Sequence, residues 1–171
     1  MVLIDQVGNL QHPPSGSLKE DAHGAYPAPD PPIDLLAPVQ GEVSWFCCGT
    51  AWGPCSSTGK GACGTCNSGS LQHAWPNTSD ACWAITRPDS CGVSLSRRTC
   101  GFRHRTTALC SGVSVVTAIA DCGPQTDLFC GERSCCGSTC ASNRLIDLTP
   151  AAYSQIASLS TGLRPCEISA A

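Results

Sequence analysis

All fifteen cysteines of this 171-residue chain fall between Cys47 and Cys166, and the first 46 residues contain none. Such density in a small chain implies a disulfide framework made in an oxidising compartment, so the expected location is secreted or extracellular. An odd count leaves at least one thiol over, or paired with another chain. The adjacent pairs Cys47-Cys48 and Cys135-Cys136 suit a framework in which neighbouring side chains point in opposite directions. Metal binding is the competing explanation, since Cys63-Gly-Thr-Cys66 has zinc-like spacing and His73 lies nearby. A structural zinc site normally shows a second Cys or His pair at a matching interval. The expectation is therefore disulfides, with no metal and no cofactor.

The cysteine-free end reads differently from the rest. Ala25-Tyr-Pro-Ala-Pro-Asp-Pro-Pro32 favours extended polyproline conformation and resists helix or central strand. Residues 1–40 are read as a Pro-rich extension or linker and residues 41–171 as one domain, with Ile33 to Ala37 as a segment that could dock as an edge strand. Met1-Val-Leu-Ile-Asp-Gln lacks the basic start and long apolar core of a signal peptide, so the expectation is a mature or trimmed form. No run approaches the ~18 apolar residues of a membrane span.

Charge narrows the partners. Five acids stand against Lys19 in residues 1–40, while nine Lys and Arg face eight acids in the remainder. No basic stripe of the kind that neutralises a phosphate backbone is present, so nucleic acid is not an expected partner. Arg97-Arg98 and Arg103-His104-Arg105 form local clusters that read as a solvated loop or strand edge.

Short strands dominate the pattern. Glu42-Val-Ser-Trp45-Phe46 reads as the first, followed by a Gly, Ser and Cys-rich loop to about Gly69. Ala81 to Ile85, Thr99 to Arg103 and Pro165 to Ile168 are further candidates. Val113, Val115, Thr117 and Ile119 alternate onto one face, and the same period carries Asp121 into an Asp-Cys-Gly-Pro turn. Arg144-Leu-Ile-Asp147-Leu is a second strand bearing a carboxylate, with Asp147 directed away from Ile146 and Leu148. Thr149 then suits an N-cap, Pro150 the first helical turn and Gly162 a stop, with Tyr153, Ile156 and Leu159 as the apolar stripe between.

The order "strand, Asp-x-Gly-Pro, cysteine-rich loop, Ile-Asp-Leu-Thr-Pro-Ala-Ala, helix, Leu-Arg-Pro, strand", with Gly61-Ala-Cys63-Gly64 upstream, resembles the double-psi β-barrel domains of rare lipoprotein A, expansins, barwin and family 45 endoglucanases. The fold this implies is mainly β: a six-stranded double-psi β-barrel, disulfide-rich, with one or two short helices. In those families acids at the positions of Asp121 and Asp147 line a groove, which makes these two the candidate catalytic residues. One acid could protonate a glycosidic oxygen while a second activates water or stabilises positive charge. The plainer reading is that both bond backbone amides at strand ends, since Asp before Cys-Gly-Pro is ordinary turn chemistry.

Departures from the resemblance shape the functional expectation. Phe46 in Trp45-Phe46-Cys47-Cys48 stands where family 45 endoglucanases carry the Asp that serves as base, and an inverting hydrolase without its base cannot activate water. Active rare lipoprotein A proteins pair their Asp with a His in an Ala-Ala-His-Arg segment. Neither His73 nor His104 sits in a clean copy, and each otherwise reads as a surface histidine. Trp52 and Trp75, in loops flanked by Gly and Pro, are candidate stacking platforms for sugar rings, while Trp45 and Trp83 read as core. Together with His73 and Tyr153 they make up the candidate substrate-binding set. Asn77-Thr-Ser79 is a formal glycosylation sequence, meaningful only in a eukaryotic source.

The first expectation is a secreted barrel that binds cell-wall polysaccharide, either peptidoglycan or a plant or fungal glycan, in a groove lined by Asp121 and Asp147 without hydrolysing it. The enzyme alternative is a peptidoglycan lytic transglycosylase using Asp121, alone or with His73. The third reading is a disulfide-stapled protein-binding module, such as a secreted protease inhibitor or defence protein. Its edge would be the Cys122–Cys140 loop with Phe129, Glu132 and Arg133.

Overall fold

A computed structural model describes residues 3–4, 10–11, 37–78, 82, 89–124 and 128–171. The chain divides into two compact units, Met1–Pro31 and Pro32–Ala171. In the first, β1 (Leu3–Ile4) pairs antiparallel with β2 (Leu10–Gln11). The expected polyproline stretch, the Ile33–Leu36 part of the edge-strand candidate and the Ala81–Ile85 strand with Trp83 lie outside the described residues, Cys82 apart.

The second unit is a closed barrel. Its strands are β3 (Val39–Trp45), β4 (Gln72–Ala74), β7 (Arg103–Ala108), β8 (Ser114–Asp121), β11 (Arg144–Leu148) and β12 (Arg164–Ala170), arranged β11-β3-β12-β7-β8-β4. The β3–β11 and β4–β8 pairs are parallel and the other barrel pairs are antiparallel. Two small antiparallel pairs, β5 (Asp89–Ser90) with β6 (Val93–Ser94) and β9 (Cys135–Cys136) with β10 (Thr139–Cys140), ornament the loops. The fold is thus mainly β, six-stranded, closed and disulfide-rich, as the sequence led us to expect; closure removes the exposed strand edges that invite aggregation.

The interior is filled by alternate residues. Val115, Thr117 and Ile119 of β8 meet Thr106 and His104 of β7, Ile168 and Cys166 of β12, Val43 of β3 and Ile146 and Leu148 of β11, all buried. The short helix α1 (Pro150–Tyr153) and a 3-10 turn at Leu159–Thr161 close one side, and Gly162 ends the segment at φ 72°. Thr149 precedes α1 in extended conformation, but its hydroxyl does not cap the helix. It donates instead to the carbonyls of Ser70 and Gln72, tying the helix start to β4.

Two strands differ from the sequence reading. Thr99–Phe102 is a turn, and the strand starts where that candidate ended, at Arg103. Strand β4 was not anticipated, because Gln72-His-Ala74 carries no alternating apolar signal; it exists by pairing with β8 and β11.

Seven disulfides join Cys47–Cys55, Cys48–Cys66, Cys63–Cys100, Cys82–Cys122, Cys91–Cys130, Cys110–Cys136 and Cys135–Cys140. Cys47 and Cys48 diverge to different partners, as do Cys135 and Cys136. Cys63 and Cys66 are both oxidised and so unavailable as zinc thiolates. Cys166 is the free thiol, fully buried.

Candidate functional site

One rung of the barrel brings four positions, three of them polar, into line. Ser44 of β3 is in register with Asp147 of β11, Asp147 with Ala74 of β4, and Ala74 with Asp121 of β8. The register shift in the β4–β8 pair, between His73 and Ala74, is what sets Ala74 beside Asp121. Both acids thus lie at one end of the barrel with a single strand between them, a backbone separation of about 10 Å at ordinary strand spacing.

Each acid has internal work. Ser44 donates its hydroxyl proton to Asp147 Oδ1. Burial pushes the Asp147 carboxyl above its usual range, with the negative charges of Glu132 and Asp121 adding; the Ser44 hydrogen bond and Arg144 oppose the rise. Asp121 Oδ1 accepts from the amides of Ala62, at 2.7 Å, and Cys122, at 2.8 Å. This latches the first cysteine-rich loop onto the end of β8. Gly61 sits at the latch with φ 72°, where a Cβ would lie 2.8 Å from Asp121 Cγ, so only glycine fits.

The aromatic and histidine candidates lie elsewhere. His73 is fully buried: Thr117 Oγ1 is 2.8 Å from its Nδ1, and its Nε2 is 2.9 Å from His104 Nδ1. His104, read as a surface residue, is also buried, packed against Trp75 and Phe102, while Arg103 and Arg105 on either side of it are exposed. Burial lowers both imidazoles, His104 to about 3, with Arg98 adding to the effect. Neither histidine is bonded to Asp121. Trp75 is 2% exposed and donates Nε1 to the Ser96 carbonyl, so it is a core residue rather than a platform. Tyr153 is fully buried against the core, and burial raises its phenol to about 12. Trp45, half-buried, donates to Leu159 O. Phe46 packs with Cys48, Cys66 and Ala120. Of the substrate-binding candidates, Trp52 is the exposed one, at 38%.

Asn77 is also committed, its Nδ2 donating to Leu95 O at 2.8 Å from a buried position. The folded chain therefore does not offer this glycosylation sequence to a transferase.

Two residues were missed by sequence reasoning. Glu42 and Ser44 alternate with Val43 and Trp45, so a period of two on β3 held the signal. Glu42 is fully buried and accepts from the Ser134 amide, pinning the second cysteine-rich loop. Burial raises its carboxyl; the bond from Ser134 opposes this. In that loop Arg144 forms a two-pronged pair with Glu132, 2.8 Å at each contact, and its guanidinium lies 4.0 Å from the Phe129 ring centroid. Arg133 is exposed.

The chemistry of the site is that of anchorage. Asp121 and Glu42 hold loops against the barrel, Asp147 ties β11 to β3 through Ser44, and six of the seven disulfides have an end in residues 47–69 or 128–143. Among the described residues no group of three His, Cys, Asp or Glu is placed to hold a metal, and no helix is long and apolar enough to cross a membrane.

Comparison with known proteins corrects the family resemblance drawn from the sequence. No family model matches the chain, and no curated protein matches it. Among solved structures it is similar to the Streptomyces papain inhibitor (SPI), at 18% identity and a TM-score of 0.46, over 79% of this chain and 94% of that one. That neighbour is named as an inhibitor, not as a rare lipoprotein A, expansin, barwin or endoglucanase protein. The motifs behind the resemblance are strand ends, a Pro turn and a helix start. Such chemistry serves local geometry, which is a weak marker of ancestry or activity.

Proposed function

We propose that the chain is a secreted, disulfide-stapled protein-binding module that acts without catalysis, as a protease inhibitor. One observation carries the reading: two cysteine-rich loops project from a filled barrel, each fixed by three disulfides and by a barrel carboxylate, half-buried Asp121 for the first and buried Glu42 for the second. A loop fixed before binding loses little conformational entropy on contact, so modest surface suffices for affinity. The committed state of His73, Trp75 and Tyr153 leaves few groups for a sugar-binding groove.

The test is inhibition of a panel of cysteine, serine and metalloproteases, with papain first because it is the target in the structural neighbour's name. Stoichiometric inhibition of one class supports the proposal. Absence of inhibition across the panel, together with release of fragments from purified cell walls, would replace it with the transglycosylase reading based on Asp121. Retention on wall material without release would favour the polysaccharide reading, for which the shared rung of Asp121 and Asp147 is the supporting geometry.

A further inference from the structure

The binding edge can be located more closely, and not where the sequence put it. Resting on the protein-binding proposal, we infer that the edge is the hairpin Trp52–Cys55 with Lys60 beside it, and that its partner is a protein cleft with an apolar pocket and carboxylates on its rim. The second loop is the weaker candidate because two of its three candidate contact residues are already used. Phe129 lies under the Arg144 guanidinium and Glu132 is paired with it, which leaves Arg133.

The first loop is spent differently. Trp52 and Cys55 exchange both backbone hydrogen bonds, at 3.1 and 2.9 Å, closing a tight turn through Gly53-Pro54. The Cys47–Cys55 disulfide ties its base, and the Gly49 backbone bonds to both Thr58 and Gly59, joining the hairpin to the following arm. Residues 50–54 and 56–60 are exposed. The Trp52 ring lies on Gly69, where a Cβ would come within 2.7 Å of Trp52 Cδ1. A glycine there leaves room for the indole against the loop while Trp52 stays 38% exposed. Trp, with Tyr and Arg, is enriched among binding anchors, since its rigid ring brings large area at low entropic cost.

Lys60 supplies the sign of the partner. It is the one Asp, Glu, Lys or Arg between Val43 and Ser79, and it is exposed. Only the half-buried Asp121, already bonded to the Ala62 and Cys122 amides, lies close. A single exposed cation in a segment with no other charged residue favours acidic rims and disfavours basic ones.

Papain serves as the probe, with the full chain carrying Trp52→Ala, Gly69→Ala, Lys60→Ala or Arg133→Ala. Gly69→Ala tilts the indole without removing it, so it tests the anchor if Trp52→Ala fails to fold. Expected are a tenfold or greater rise in the inhibition constant for Trp52→Ala and Gly69→Ala, with unchanged melting. Lys60→Ala should weaken inhibition severalfold in low salt and less in high salt, and Arg133→Ala should match wild type. If wild type leaves papain uninhibited, the protease of the panel that it does inhibit takes papain's place as probe; wild type inhibiting none of the panel would overturn the inhibitor proposal and this inference with it. Inhibition that survives Trp52→Ala and Gly69→Ala but falls with Arg133→Ala would overturn the inference alone, and the edge would return to the second loop.

Discussion

At the scale of single residues, the two carboxylates are separable by what they hold. Asp121 accepts two backbone amides, and hydrogen bonds to a charged acceptor are worth about 1.5–3 kcal/mol each. Because one of these bonds is exposed and the other only part-buried, Asp121→Ala is expected to destabilise by less than their sum, about 2–4 kcal/mol, read as a lower urea midpoint with freer proteolysis of residues 56–65. Asp147 holds one hydroxyl from a site where its charge is disfavoured. Asp147→Asn keeps an acceptor for Ser44 and removes a disfavoured, half-buried charge, so its stability should stay within about 1 kcal/mol of wild type. Unfolding of that variant would show that the charge itself is needed. Cys166 gives a third test at this scale. Burial disfavours its thiolate, and the neighbouring negative charges of Glu42 and Glu167 add to the effect. A thiol reagent should find no reactive group in the native chain and one per chain in denaturant; rapid native labelling would mean that β12 opens.

At the scale of elements, the polar pair inside the barrel sets a pH dependence. His73 and His104 join β4 to β7 while neutral, and burial lowers both below the ordinary imidazole value of 6.5. A base with a depressed folded pKa leaves stability complete above the unfolded value and costs it as pH falls toward the folded one. The loss should begin near pH 6.5 and continue toward pH 3, where His104 titrates in the fold. One such histidine loses about 1.4 kcal/mol per pH unit within that window. Asp147 and Glu42, raised by burial, act in the opposite sense, since their protonation favours the folded chain. Urea midpoints measured from pH 7.5 to 5 should fall while intrinsic fluorescence of the native state holds; a flat profile would mean that the pair is hydrated.

At the scale of the molecule, the place where the barrel begins matters. The sequence divides at residue 40 by composition, whereas β3 starts at Val39, and Val39 and Gln40 pair with Ile168 and Glu167. We expect a chain starting at Pro32 to melt within a few degrees of the full chain. One starting at Gly41 loses two rungs of β12 pairing and should melt measurably lower, by about 2–4 °C per kcal/mol lost. Equal melting of the two would show that those rungs contribute little.

What the sequence determined by itself was local or combinatorial. Cysteine density implied the framework, the odd count implied a spare thiol, and the period of two through Val115, Thr117 and Ile119 identified a strand because each position reports its own face. Tertiary structure decided whatever depends on which strands become neighbours. His73 and His104 are ordinary polar residues until β4 and β7 bring them into the core, and Trp75 reads as a loop residue until Ser96 takes its indole proton. Strand β4 has no pattern of its own because its pairing partners make it a strand, and Glu42 matters only once Ser134 closes over it. Which loop is left with an unspent aromatic was likewise a matter of pairing: Arg144 occupies Phe129, while Gly69 supports Trp52 without covering it. Burial and partnership are non-local sums, and a linear pattern carries only the share of them that each residue's own period reveals.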